Sequence, residues 1–235
     1  LPISGVRHIH RVTDDPLNLH ILIVDLTEPG VALRTCLARD RATGIETVRS
    51  MATRKGAVAA VNGDYWSPFG VPQGLTVVDG EIIIAPKFRT AFGVTWEGEP
   101  VIGRWTDGWS WQAEAIAPGG ARHPISLLNS DLNPGWLCLY TDKFGMLSKG
   151  DSAGTPSMEL ILNIERRVIE MRENQPGREI PSGGFALTGV GAPAKWLREH
   201  FQVGDLAAFD LKSTRPWQNL RHAIGAGPRI LAEGQ

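Results

Sequence analysis

Asp79-Gly80 stands between two short apolar runs, Leu75–Val78 and Glu81–Ile84. A two-residue connection needs positive φ at both positions, and Asp-Gly accepts this readily, so a tight antiparallel hairpin is predicted here. The same punctuation recurs along the chain. Leu19–Leu26 and Val31–Leu37 read as paired strands across Glu28-Pro29-Gly30, and Met158–Ile164 and Val168–Met171 as a hairpin turned at Glu165-Arg166-Arg167. From Pro86 to Thr141 strand follows strand, with Trp109, Trp111 and Ala113 on one face and Ser110 and Gln112 on the other by the two-residue period. Pro181-Ser182-Gly183-Gly184 opens a strand at Phe185–Thr188, and Gly204-Asp205 turns into a last apolar strand, Leu206–Leu211.

Helical signals are few. Thr43-Gly44-Ile45-Glu46 fits a capping box, Ile45, Val48, Met51 and Ala52 form a stripe at helical spacing, and Gly56 suits the left-handed stop. A second short helix runs through Phe201, with Pro193 in its first turn. Short strands with two helices predict an α+β class: one domain, 1–235, built mainly on antiparallel or mixed β-sheet.

Charge and cysteine content narrow the function classes. Lys and Arg total 24 against 25 Asp and Glu, with a net charge of −1, so the basic footprint of a nucleic-acid binder is missing. No apolar run reaches the roughly 18 residues that a membrane helix needs. Leu1-Pro2-Ile3-Ser4 lacks the charged start and apolar core of a signal peptide, as in a chain cut from a precursor. Cys36 and Cys138 lie on apolar runs and read as buried free thiols, with a long-range disulfide as the alternative; two cysteines alone make no zinc site. His8-Ile9-His10 puts two imidazoles on one strand face, the spacing of a metal pair, against the plainer reading of a polar strand face. Gly189-Val190-Gly191 before a helix is too little for a dinucleotide fingerprint, and no His-Glu-x-x-His occurs.

The chemistry is expected in Gly56–Pro86. An apolar run, Ala57–Val61, reads as a buried strand that surfaces at Asn62-Gly63-Asp64, followed by Tyr65, Trp66 and a Pro/Gly-rich loop. That placement puts a carboxamide and a carboxylate on a loop carried by a sheet. This stretch, with Arg89-Thr90-Ala91-Phe92-Gly93-Val94, Leu128-Asn129, Leu139-Tyr140-Thr141 and Ala223-Ile224-Gly225-Ala226-Gly227-Pro228-Arg229-Ile230-Leu231 followed by Glu233-Gly234, resembles the phosphodiester glycosidase family in both motifs and order. The family pattern continues to a second Arg-[Ser/Thr]-Ala strand and an Asp-Gly-Gly turn that this sequence does not contain; a trimmed chain, a separate C-terminal piece that completes the domain, or a divergent member that closes its site differently would each account for this.

The resemblance implies a secreted or cell-envelope hydrolase that removes a sugar from a phosphodiester or related glycosidic linkage at the anomeric carbon. Its partner would be a carbohydrate or sugar-phosphate substrate, with no cofactor; a divalent cation at the Asp64 loop stays open. An oxocarbenium-like transition state calls for a carboxylate, and the phosphate for cationic or N–H donors. Asp64 is the best placed acid and Asn62 an amide donor. Arg89 has the planar fork that suits a phosphate, and Trp66 an apolar face for a sugar ring. Gly225 and Gly227 would let backbone N–H groups approach a ligand, His222 would carry a proton, and Asn129 enters by its place in the pattern. Each has a plainer reading: a turn at Asn62-Gly63, a surface or ion-paired Arg89, a structural His222, a tight bend at Gly225-Ala226-Gly227-Pro228, packing for the tryptophans. The alternative function is a non-catalytic carbohydrate-binding or cell-surface module on the same fold.

Overall fold

A computed structural model of the chain describes residues 4–15, 17–86, 89–104, 111–145, 148, 154–213 and 217–227. Trp109, Ser110 and the motif residues from Pro228 to Gly234 lie outside the described residues. The chain is mostly β-sheet, with fifteen strands and two α-helices among the described residues.

Three sheets carry the core. The first is β12-β11-β13-β10-β9, made of β9 (Leu127–Leu128), β10 (Leu137–Thr141), β11 (Ser157–Leu162), β12 (Val168–Glu173) and β13 (Phe185–Val190); all its pairs are antiparallel except β9 with β10. The second is β4-β3-β15-β5-β6, from β3 (Thr76–Val78), β4 (Glu81–Ile84), β5 (Thr90–Thr95), β6 (Pro100–Arg104) and β15 (Leu220–Ala226), antiparallel throughout. The third joins β14 (Ala208–Ser213), β7 (Trp111–Ile116) and β8 (Arg122–Pro124). A separate hairpin pairs β1 (Val6–Val12) with β2 (Asn18–Val24).

The first sheet is buried on both faces, which is why its central strands read as continuous apolar runs instead of alternating ones. On one side Leu160, Leu162 and Leu187 pack with Ala194 and Leu197 of helix α2 (Ala192–His200) and with Ala113 and Ala115 of β7. On the other, Ile161, Ala186, Cys138 and Tyr140 pack with Ile83, Ile84, Val71 and Phe144. One carboxylate lies inside β11: Glu159 is 1% exposed, accepts a hydrogen bond from Thr188 Oγ1 at 3.1 Å and faces Arg172 Nε at 3.3 Å. Burial pushes its carboxyl above the ordinary value.

Several expectations are met. Asp79 and Gly80 have φ of 47° and 82° and join β3 to β4, as an Asp-Gly turn requires. The hairpin β11–β12, strand β13 and helix α2 lie where the pattern puts them, and Trp111 and Ala113 face inward against Gln112, with Ala115 continuing their face. Neither Cys36 nor Cys138 is in a disulfide; Cys138 is buried and Cys36 half-buried.

Four expectations are corrected. β2 pairs with Val6–Val12, not with residues 31–37, which contain no strand. That segment instead bonds to β15, Thr35 Oγ1 donating to Ala223 O at 3.0 Å. Helix α1 (Val48–Lys55) begins later than Thr43: Thr47 is its cap and accepts from Ser50 N, while Thr43 is buried and donates to Phe144 O at 2.8 Å. Ala57–Val61 is neither a strand nor buried; Val58 is 62% and Val61 76% exposed. Leu206–Leu211 is not the last strand, since Leu220–Ala226 follows it and occupies the centre of the second sheet.

Candidate functional site

The base of the site is a close approach of backbone to backbone. Gly74 precedes β3 and Gly225 lies within β15. A Cβ built on Gly225 would stand 2.8 Å from the Gly74 Cα and 2.6 Å from Asp64 Oδ2. Neither glycine has a positive φ, so what is required of them is space. The Asp64 carboxylate fills that space. Its Oδ2 accepts the Gly74 N–H at 2.6 Å and its Oδ1 the Tyr65 N–H at 2.7 Å. Asp64 itself has φ 61°, in the left-handed region that Asp tolerates better than most residues.

This clamp closes the base of the loop 65–74. Within it Gln73 N donates to Tyr65 O at 2.8 Å, Ser67 N to Val71 O at 2.9 Å, and Trp66 bridges Pro72. Trp66 stands out at 60% exposed. Tyr65 leans the other way: its hydroxyl meets Gly227 O at 3.4 Å and its ring carries the Arg89 guanidinium 4.6 Å from the centroid. Register explains the meeting. Thr90 pairs with Ala226 and Ala91 with Gly225, so Arg89 and Gly227 continue the same two strands. Asp64, Tyr65, Arg89, Gly225 and Gly227 thus gather at one end of the second sheet, from segments far apart in sequence.

Asp64 is half-buried and each oxygen holds one N–H, which leaves lone-pair directions open. The clamp fixes the carboxylate without saturating it. Next in sequence to Asp64, the Tyr65 ring carries the Arg89 guanidinium, whose planar N–H fork suits an anion.

Three predicted site residues fall elsewhere or take other work. Asn129 is fully buried at φ 49°, and its side chain is spent on the fold: Nδ2 donates to Ile83 O at 2.9 Å and Thr141 Oγ1 at 3.0 Å, and Oδ1 accepts from Thr141 N at 2.8 Å. His222 is buried on β15 at the Asp79-Gly80 turn. Its Nδ1 accepts the Asp79 N–H at 3.4 Å, which leaves the proton of the neutral ring on Nε2, 3.4 Å from Asp79 Oδ1. Burial pushes His222 below the ordinary histidine value, Asp79 opposing. Three residues from Gly225 on a strand is about 10 Å, and odd spacing puts the two on opposite faces. His222 is therefore not a neighbour of Asp64. Gly225 offers its place to Asp64 instead of to a ligand. Asn62 is exposed beside Gly63, whose missing Cβ leaves room for Ile224.

A cleft of about 650 Å³ opens on the same loop, lined by Gln73, Pro86, Trp111, Ser126, Asp131 and Trp136 among others. Asp64 and Arg89 do not line it, but Gln73 is next to the clamped Gly74. Tyr65, Gly74 and this cleft were not singled out in the sequence; the Pro72-Gln73-Gly74 turn was the available signal. Among the described residues no three His, Cys, Asp or Glu side chains stand ready to hold a metal ion, and no helix is long and apolar enough to cross a membrane.

No family model and no curated protein matches the chain. Two solved structures share its fold. One, from Burkholderia pseudomallei and described as a candidate exported protein, superposes with a TM-score of 0.75 at 23% identity over 91% of this chain and 50% of its own. The other, a hypothetical protein from Synechocystis, gives 0.75 at 20% identity over 95% of this chain and 42% of its own. The chain thus spans about half the length of these structures or less.

Proposed function

We propose that the protein is a hydrolase that cleaves a sugar from a phosphodiester or related glycosidic linkage at the anomeric carbon, as a member of the phosphodiester glycosidase family. The observation that carries this reading is the Asp64 carboxylate, clamped by two backbone N–H groups over a pair of glycines and followed by Tyr65, whose ring carries Arg89. In that role Asp64 stabilises positive charge at the anomeric carbon or takes a proton from the attacking water, and Arg89 holds the phosphate. Trp66 offers its exposed face to a sugar ring and the adjoining cleft, with Trp136 and Asp131, room for the rest of the substrate. Work on such a substrate fits a protein of the cell envelope or exterior, in keeping with the description of the Burkholderia pseudomallei structure.

A non-catalytic carbohydrate-binding module is the second reading. It is favoured by the cleft itself, which has aromatic and polar walls but does not include Asp64. A panel of p-nitrophenyl glycosides and phosphodiester-linked sugars separates the two. Turnover lost in Asp64→Asn, with the fold intact by circular dichroism, supports the hydrolase. Saturable sugar binding without turnover supports the module.

A further inference from the structure

The β1–β2 hairpin carries a feature the proposed hydrolysis does not use. His8 and His10 lie on one face of β1, and His20, paired with His10 in register, lies on the same face of β2. His8 Nε2 approaches His20 Nδ1 to 3.0 Å. The His20 ring lies nearly parallel to the other two, with centroids 5.2 Å from His8 and 4.5 Å from His10 and planes within 5°. His10 Nε2 is held 2.5 Å from Asn18 Oδ1. All three histidines are exposed, and His8 and His20 line a groove of about 450 Å³ between the hairpin and residues 58–61.

We propose that this histidine cluster is a binding site for a divalent transition-metal ion of the zinc, copper or nickel kind. Imidazole nitrogen is the preferred ligand of those ions. Zn–N bonds of about 2.0–2.1 Å put two tetrahedral ligands roughly 3.3 Å apart, close to the separation already present between His8 and His20. That contact is a hydrogen bond between two imidazoles, and the ion replaces it: two Zn–N or Cu–N bonds form as two waters leave the ion, the donor ring's proton passes to its other nitrogen so that each imidazole keeps one N–H, and no redox change occurs. Two nitrogens stand at ligand separation, and the exposed His8 and His20 rings turn about their side-chain torsions to aim their lone pairs at the ion. His10 supplies the third by turning about its side-chain torsions and giving up Asn18. The groove leaves the remaining coordination position to water or an exogenous ligand.

The consequence is mechanical. A two-stranded hairpin standing alone is marginal in water, and one ion held by both strands fastens this one. The ligating nitrogens must be unprotonated, so affinity falls as pH is lowered.

The test uses the full chain without an affinity tag, stripped with chelator and titrated calorimetrically with Zn²⁺, Ni²⁺ and Cu²⁺. Expected is one equivalent bound with micromolar affinity, nitrogen couplings in the Cu²⁺ electron paramagnetic spectrum, and a rise in melting temperature on loading. His20→Ala and His8→Gln weaken binding by roughly tenfold or more and abolish the rise, whereas His123→Ala, on β8, leaves both unchanged. His8→Gln retains a side chain at the strand face should His20→Ala disturb the hairpin. No saturable binding at millimolar metal, or binding that both hairpin variants leave intact, overturns the proposal.

Discussion

Gly225 is a glycine because Asp64 occupies the place of its side chain. A methyl group there meets the carboxylate at 2.6–2.7 Å and the Gly74 backbone at 2.8 Å, and backbone cannot yield cheaply in the middle of a sheet. Gly225→Ala is therefore expected to expel Asp64 from its clamp, with loss of activity and a stability cost of about 1–3 kcal/mol, read from denaturant unfolding. An Asp64→Ala, Gly225→Ala double variant should recover part of that cost, since the small side chain vacates the space. His222 gives the second prediction at this scale. Its folded pKa lies below the ordinary 6.5, so the unfolded chain binds more protons across the interval between them. Stability is full above 6.5 and falls as pH drops through the folded value. In His222→Gln the decline of melting temperature from pH 7 to pH 5 should be shallower than in the wild type, and parallel curves would contradict the assignment. Asp64 was legible as a carboxylate after the apolar run Ala57–Val61, although that run is neither buried nor a strand, while Arg89 and Gly225 entered through the family resemblance and their donor chemistry. The different fates of His222 and Asn129 were not legible, because strand register and buried hydrogen-bond partners decide them.

At the scale of elements, Asn129 shows how a motif can be structural. Its left-handed backbone and three side-chain hydrogen bonds tie β4 of one sheet to β10 of another through Ile83 and Thr141. Asn129→Ala removes three hydrogen bonds, one of them to the carbonyl of the buried Ile83, and is expected to cost about 2–4 kcal/mol, while residual catalysis per folded molecule stays near the wild-type level. A selective loss of catalysis at unchanged stability would return Asn129 to the site. Hairpins closed by two or three turn residues were readable because turn chemistry is local: Asp79-Gly80 and Glu165-Arg166-Arg167 fix β3–β4 and β11–β12. Non-local partnerships were not. Leu19–Leu26 has an equally good local partner on either side, and only the three-dimensional arrangement selects Val6–Val12. Ala57–Val61 has strand-like composition, but among the described residues it has no ladder partner. β15 was hidden by Gly225, since a glycine weakens a strand unless a neighbour fills its space, as Asp64 does here.

For the molecule as a whole, the second sheet brings together residues that sequence separates widely. The loop 65–74 reaches β15 through Asp64, and Arg89 reaches the same end by leading into β5. The first sheet, buried on both faces, is the rigid body against which this arrangement is held. Fold class could be inferred from punctuation and composition alone, while the cleft beside Gln73 needed the packing of β7 against the segment 125–136. The central claim is that Asp64 is the working acid of a sugar-cleaving site. It is tested most directly by following release of free sugar from a sugar phosphodiester by nuclear magnetic resonance, for the wild type and for Asp64→Asn at equal folded concentration. The account predicts a new anomeric signal with the wild type and a rate lower by about 10²–10⁴-fold with the variant. Equal rates from the two proteins would contradict it.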